Sequence, residues 1–309
     1  MSEGIASGQL RGRLELYPSD EALTVEVEGR KLPLEQEFSA VLAYGLEGAP
    51  VWDTEFGFFL SPGRRSGTNL VMLHPYRAGR IPVVLVHGTA SSPARWADMI
   101  NELQNDPLLN GRIQFWLFTY STSNPILLSA SELRAALLDI VKQLDPDGRD
   151  PALHRMVVIG HSQGGMLTRL MVTDSGNRFW DNVSKVPFSE IKGRRRRWRS
   201  SGTECSSAGA VREPGRVHRD AASRSFRVSS LVLDLVRRVV TLPVTLAKNM
   251  NELAAENPDL VEAQNAAKAM PTAVDNMRPG NRFVRSLSAS PIARVSPPTR
   301  SSRYSVKAR

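Results

Sequence analysis

Hydrophobic runs alternate with amphipathic stretches along residues 56–192 of this 309-residue chain. The runs NLVMLHPY, IPVVLVHG, IQFWLFTY and RMVVIG predict strands. The stretches SPARWADMINELQ and SASELRAALLDIVKQL place apolar residues at helical spacing and predict helices. Strands of near-continuous Val, Ile and Leu indicate burial on both faces. The pattern therefore predicts an α/β fold, a parallel sheet with helices on both faces.

The regions on either side of this core differ from it in pattern. Residues 1–55 predict a small β-rich entry region, with RLELYP and LTVEVEGRKL as strands about a turn and FSAVLAYGLEG as a short helix. Residues 225–293 have helical spacing and predict lid or cap helices. Within them, LVLDLVRRVVTLPVTLA also fits an amphipathic helix on a membrane surface, but its Pro and mixed charges favour a lid.

A serine lies between glycines where the fourth predicted strand meets a helix. GHSQG, from Gly160 to Gly164, fits Gly-x-Ser-x-Gly, with MVVI before it and GGMLTRLMVTDSG after it. This context is typical of a nucleophile elbow, in which a strained turn exposes the serine, here Ser162. The glycines allow strand and helix to approach each other closely. The alternative is a glycine-rich turn that only joins a strand to a helix.

A second motif, VLVHGTASSPARW, ends a strand shortly before a helix begins. The two motifs together resemble the α/β-hydrolases of the lipase and esterase kind, and FTYSTSNPI resembles the substrate-side loop of bacterial lipase-like members. The resemblance implies hydrolysis of a carboxylic ester or lipid-like acyl substrate, with the backbone N–H groups of Thr89 and Gln163 as the oxyanion hole. It also implies that His87 and Gly88 shape the loop, and that His161 lines the pocket.

The base that would activate the serine has no candidate in the expected place. In the family that the motifs resemble, the nucleophile is followed along the chain by the acid and then the histidine. The one histidine after the elbow is His218, and no strand-loop pattern surrounds it. His74 and His154 precede the elbow, which is the wrong order. We therefore expect the triad acid and base to be missing and the α/β-hydrolase fold to be incomplete on its C-terminal side.

Two basic segments interrupt the pattern at this point. Residues 193–224 contain no Leu, Ile, Phe, Met or Lys and have a net charge of +6, and the basic tail at 294–309 has +5. The rest of the chain has a net charge of −2. A solvated basic loop, a disordered nucleic-acid-binding tail and translation of a GC-rich gene out of frame would each give such a composition.

We favour the out-of-frame interpretation, because codons that the genetic code permits for the two segments encode strands when they are read in a shifted frame. Codons permitted for residues 215–224, read one base later, encode VVFIATPHRG, a buried strand ending in Thr-Pro-His-x-Gly that resembles the strand after the elbow helix in lipase-like relatives. Codons permitted for residues 293–308, read two bases later, encode PGVTAHSIVAVLGEG, which contains the strand HSIVAV. Both strands fall where the fold needs one.

The remaining features narrow the possible functions. No His or Cys pair has metal-ligand spacing, Cys205 is the single cysteine, and GTASSPARW lacks the end of a phosphate-binding loop. We expect no cofactor, no metal, no specific nucleic-acid partner and no transmembrane span. Without a recognisable leader, the localisation is cytoplasmic by default. The predicted function is serine hydrolysis of a small acyl ester or lipid, impaired in this chain; the alternative is a non-catalytic binder or a weak binder of polyanions or membrane surfaces.

Overall fold

A computed structural model describes the core of the chain and several shorter segments. The described residues are 15, 17, 24–34, 39–47, 70–182, 187–190, 252, 255–257, 273–278 and 280–292. The predicted basic segments at 193–224 and 294–309, and most of the predicted lid region, lie outside these residues. Those predictions therefore remain predictions.

A four-stranded sheet forms the centre of the described structure. Its strands are β3 (Leu70–Met72), β4 (Ile81–Val86), β5 (Ile113–Phe118) and β6 (Val157–Gly160), numbered after the two strands of an N-terminal hairpin. Their order is β3-β5-β4-β6. β4 is parallel to both β5 and β6, whereas β3 pairs antiparallel with β5. The sheet is therefore mixed, whereas a wholly parallel sheet was predicted. The prediction was wrong at β3 because a hydrophobic pattern indicates a strand but not the direction in which an edge strand runs.

Alternate residues of the central strands pack on opposite faces of the sheet. Val84 and Val86 of β4 belong to one buried cluster, and Val83 and Leu85 belong to the other. The same alternation in β5 sends its residues Trp116 and Phe118 to the first cluster, and Phe115 to the second. Both faces are thus covered, as the run of apolar residues in each strand predicts.

Helices cover the two faces as expected from their apolar spacing. Within the described residues the α-helices are, in order, α1 (Ser39–Leu46), α2 (Ala97–Asn105), α3 (Ile126–Leu144), α4 (Gln163–Met171), α5 (Arg178–Asp181), α6 (Ala273–Asn276) and α7 (Arg282–Ala289). A 3₁₀ turn at Pro93–Trp96 leads into α2, which packs on the second cluster. Helices α3, α4, α6 and α7 pack on the first cluster.

The N-terminal strands pair differently from the prediction. β1 (Thr24–Val27) and β2 (Arg30–Pro33) form an antiparallel hairpin within the segment predicted as one strand. The turn lies at Glu28 and Gly29, which have φ values of 51° and 73°. Glycine adopts this left-handed conformation without strain. Gly29 is therefore a turn signal inside the segment that was predicted as one strand. Helix α1 agrees with the short helix that was predicted.

Polar groups at the amino edge of the parallel strands are bound to one another. Asp150 accepts hydrogen bonds from the Tyr76 hydroxyl and from the backbone N–H groups of Gly79 and Ala152. The Gln114 side chain accepts from the Arg77 N–H and donates to the carbonyls of Arg77 and Arg80. Burial alone would raise the pKa of Asp150, but these hydrogen bonds outweigh it and lower the pKa. This edge is therefore tied together away from the predicted elbow.

Candidate active site

Ser162 occupies the junction between β6 and α4 in a strained backbone conformation. Its φ is 54° and its ψ is −118°, and its side chain is exposed. A non-glycine residue pays of order 1–3 kcal/mol for such a conformation, which persists only where the surrounding structure holds it. The strand must turn here directly into the helix, so the serine is raised above the carboxyl edge of the sheet.

Two glycines make this turn possible. A Cβ at Gly160 would lie 2.2 Å from the Gly164 carbonyl oxygen and 2.5 Å from the Thr168 hydroxyl. A Cβ at Gly164 would lie 2.2 Å from the Val86 carbonyl oxygen and 2.6 Å from that of His87. All four distances are far below van der Waals contact. Neither position therefore has room for a side chain where the strand and the helix meet.

The loop after β4 lies against the elbow, as the resemblance predicts. A Cβ at Gly88 would be 3.0 Å from the Cβ of Ser162 and 3.1 Å from Nδ1 of His161. The His161 backbone N–H donates to the Val86 carbonyl at 3.1 Å. The structure therefore brings together two motifs that are more than seventy residues apart in sequence.

Thr89 and Gln163, the two predicted oxyanion donors, are linked through their side chains. The Thr89 hydroxyl donates to Oε1 of Gln163 at 2.7 Å, and the Gln163 side chain is fully buried. No described residue accepts a hydrogen bond from the backbone N–H of either residue. This side-chain contact could not be predicted from the sequence, because the two residues lie on separate elements with no shared periodicity.

The loop that carries Thr89 is held from below by residues of the next strand and loop. The Ala90 N–H donates to the Thr122 hydroxyl at 3.2 Å, and Ala90 has a φ of 46°. The Tyr120 hydroxyl donates to the His87 carbonyl at 2.8 Å, and the two rings stack with centroids 4.6 Å apart. Burial raises the pKa of Tyr120. His87 is itself buried, a placement compatible with the loop-shaping role that was predicted, whereas His161 is exposed.

The described part of the predicted lid region approaches the same loop. The Met277 sulfur lies 3.5 Å from the Thr89 hydroxyl. Phe283 and Leu287 of α7 are buried in the first cluster, where Phe283 stacks on Phe179 at 5.2 Å. The Arg169 side chain donates to the Ser290 carbonyl at 2.9 Å. Residues 280–292 therefore pack on the core, while the lid over the site stays a prediction.

A base for Ser162 is not evident in the described residues. Among them, no histidine or carboxylate is hydrogen-bonded to the Ser162 hydroxyl. His154, in the 3₁₀ turn before β6, lies 3.6 Å from Asp145, and His74, just after β3, contacts Gln104. His218 lies outside the described residues. The predicted absence of the triad acid and base therefore stays a prediction.

Other kinds of site find little support in the described part of the chain. No group of three or more potential metal ligands occurs in it. None of its helices is both long and apolar enough to cross a bilayer. A shallow groove at the amino end of β5 is lined by His74, Arg77, Arg80, Gln104 and Asn110 among others. This groove lies at the opposite edge of the sheet from Ser162, so it is not the opening above the serine.

Comparison with known proteins agrees with the α/β fold. A search of curated proteins found no match. A model of the alpha/beta hydrolase family matches residues 83–300, which begins in β4, includes the elbow and covers more than two thirds of the chain. The chain therefore belongs to the alpha/beta hydrolase family.

Proposed function

We propose that this protein descends from a serine hydrolase of carboxylic esters or lipid-like acyl compounds, with Ser162 as its nucleophile. The observation that carries the proposal is the exposed Ser162 at a φ of 54°, in contact with the loop of Gly88 and Thr89. Strain of this kind at a serine is typical of a nucleophile held ready for attack. Membership of the family supports hydrolysis in general.

The chemistry follows from these positions. The Ser162 oxygen forms a bond to the acyl carbon, and the carbonyl π electrons move to its oxygen. The backbone N–H groups of Thr89 and Gln163 would donate to that oxyanion, which carries full charge only near the transition state. Collapse expels the alcohol and leaves an acyl-serine, which water then hydrolyses. No step needs a cofactor or metal, and the substrate is a small acyl ester or lipid.

We propose that the 309-residue chain performs this reaction slowly. Each half of the reaction needs a base that removes a proton from the serine or from water. The expected histidine and its acid fall in the part of the chain that is predicted to be out of frame. Loss of a triad member costs roughly 10⁴- to 10⁶-fold in turnover, although the oxyanion donors and substrate binding leave a residual rate.

A panel of p-nitrophenyl esters tests the activity. It is applied to the 309-residue chain, to a version with the reading frame restored at 215–224 and 293–308, and to Ser162→Ala in each. The restored version is expected to hydrolyse at least one chain length, with activity lost in its Ser162→Ala variant. The printed chain is expected to remain within about tenfold of its own Ser162→Ala variant. Failure of the restored version to cleave any ester, amide or thioester would contradict the proposal.

A further inference from the structure

The two side chains that join the proposed oxyanion donors have no role in the reaction described so far. The Thr89 hydroxyl donates to Oε1 of Gln163 at 2.7 Å, the usual length of an O–H···O hydrogen bond. The Gln163 side chain is 0% exposed, and its Nε2 has no hydrogen-bond partner among the described residues. The contact with Thr89 is therefore the one described hydrogen bond of a buried amide, and breaking it leaves that amide unsatisfied.

The bond joins two backbone segments at the two residues that we propose as oxyanion donors. One end belongs to the loop after β4, and the other belongs to the first residue of α4. The loop is also attached by the Tyr120 hydroxyl on the His87 carbonyl, and by the Ala90 N–H on the Thr122 hydroxyl, at a backbone φ of 46° that is itself unfavourable. The side-chain bond is therefore the described hydrogen bond that links Thr89 directly to α4, in addition to the attachments at Ala90 and His87.

Met277, from the C-terminal part of the chain, covers the hydrogen bond between Thr89 and Gln163. The Met277 sulfur lies 3.5 Å from the Thr89 hydroxyl, and Ala273, four residues earlier, is fully buried in the first cluster. A thioether sulfur is a weak hydrogen-bond acceptor, so the Thr89 hydroxyl donates its proton to the Gln163 oxygen rather than to the Met277 sulfur. Met277 thereby shields the bond from water, and a hydrogen bond away from water is harder to exchange for one to solvent.

We propose that the Thr89 and Gln163 side chains form a positioning bridge that fixes the distance between the two oxyanion N–H groups. The inference rests on the proposed function, because it assigns the bridge a purpose in that reaction. The side chains act through the backbone donors and do not touch the reacting atoms. A shift of about 1 Å in such a group can cost on the order of 100-fold in rate, which is what the bridge prevents.

Amide hydrogen exchange in the 309-residue chain tests the bridge without requiring activity. Thr89→Val removes the hydroxyl and keeps the shape, whereas Thr89→Ser keeps the hydroxyl. We expect Thr89→Val to speed exchange of the Ala90 N–H by roughly five- to tenfold, the effect of one lost hydrogen bond. Thr89→Ser should restore the slow rate. Exchange of the Val172 N–H, which is bound to the Arg169 carbonyl at the far end of α4, should not change.

Thr173→Val is the matched control, since that hydroxyl donates to the Arg169 carbonyl at 2.7 Å and lies away from the loop. It should leave Ala90 exchange unchanged. If Thr89→Val and Thr173→Val affect Ala90 equally, or if Thr89→Ser behaves like Thr89→Val, the bridge does not hold the loop and the proposal is wrong.

Ester kinetics of the frame-restored version separate positioning from mere support of the fold. Thr89→Val is expected to lower kcat by about 10- to 100-fold with KM within about twofold, and Thr89→Ser to recover most of kcat. An unchanged kcat, or a loss confined to KM, would overturn the positioning role. If the restored version has no esterase activity at all, the proposed function fails, and the exchange measurement still decides whether the bridge fixes the loop.

Discussion

The two edges of the sheet differ in backbone strain and in how fully their polar groups are hydrogen-bonded. At the carboxyl edge, Ala90 and Ser162 are the two non-glycine residues with positive φ within the described stretch 70–182. Buried atoms without a hydrogen-bond partner among the described residues also occur there: Asn124 Oδ1, Ser129 Oγ and Gln163 Nε2. This edge therefore carries backbone strain together with incompletely satisfied polar groups.

At the amino edge the polar side chains are satisfied. Asp150 receives three described hydrogen bonds, and Gln114 uses both its oxygen and its nitrogen on the backbone. Asp145 accepts from the N–H groups of Arg149 and Asp150. The hydrogen bond from the Asp150 N–H is the largest cause of the lowered pKa of Asp145.

The difference shows where this fold accepts a cost in stability. Strain and unpaired buried groups lower stability and are retained where a surface must act on a ligand. Satisfied polar networks fix one arrangement of the chain. On this comparison the amino edge holds the sheet together, and we propose that the carboxyl edge carries the function. The following substitutions test that division, from the largest expected effect to the smallest.

Gly164→Ala should cause the greatest loss of stability. Its new methyl would lie 2.2 Å from the Val86 carbonyl oxygen, so β4 and α4 would have to separate. We expect a loss of more than about 4 kcal/mol in the free energy of unfolding, measured in urea. The control Gly148→Ala has a φ of 68° with no atom within 4 Å, and should lose only about 1–2 kcal/mol. Equal losses would contradict the steric account of the elbow.

Asp150→Asn should weaken the amino edge by about 2–3 kcal/mol at pH 7, because a charged acceptor of several hydrogen bonds is lost. The folded state lowers the pKa of Asp150, so its stabilisation is present above the unfolded pKa of about 3.9 and is lost as pH falls below it. The difference between wild type and variant should therefore narrow below about pH 4. The exposed Asp147→Asn should change stability by less than about 0.5 kcal/mol. A difference that grows in acid would refute this account.

Glu132→Gln tests a second loss of stability on the carboxyl side, the burial of an ionisable side chain. Helix α3 begins near that edge, and Glu132 is in its second turn. Burial raises the pKa of Glu132 to about 7. The folded state thus favours the neutral acid, and the wild type is penalised increasingly as pH rises from about 4.3 to 7. We expect the variant to be about 1–3 kcal/mol more stable at pH 8 and equal to wild type at pH 4, in urea unfolding. Glu102→Gln, an exposed control on α2, should change stability by less than about 0.5 kcal/mol at pH 8.

Ser162→Gly should raise stability slightly, by about 1 kcal/mol, because glycine adopts positive φ without the strain that serine bears. Ser162→Ala keeps the Cβ and should leave the thermal midpoint near that of wild type. A stabilisation by both variants, or by neither, would mean that backbone strain is not what Ser162 contributes to the elbow.

The sequence was sufficient for the parts of this molecule that local pattern controls. Continuous apolar runs predicted the central strands, and GHSQG between strand and helix predicted the turn at Ser162. The antiparallel direction of β3 and the hairpin at Glu28 were not predicted, because strand pairing is decided by contacts between segments. The Thr89–Gln163 bridge and the Met277 contact were likewise not predicted, since no short motif records which side chains meet across the fold.

The central claim, that Ser162 is a nucleophile whose base this chain lacks, is tested most directly by a fluorophosphonate probe, which reacts with an activated serine. Labelling rates are compared between the 309-residue chain and the frame-restored version, with Ser162→Ala as the unlabelled control. The printed chain should label at least about 10³-fold more slowly than the restored version. Rapid labelling of the printed chain at Ser162 that is abolished by His218→Ala would contradict the account, because the base would then lie within the basic segment 193–224.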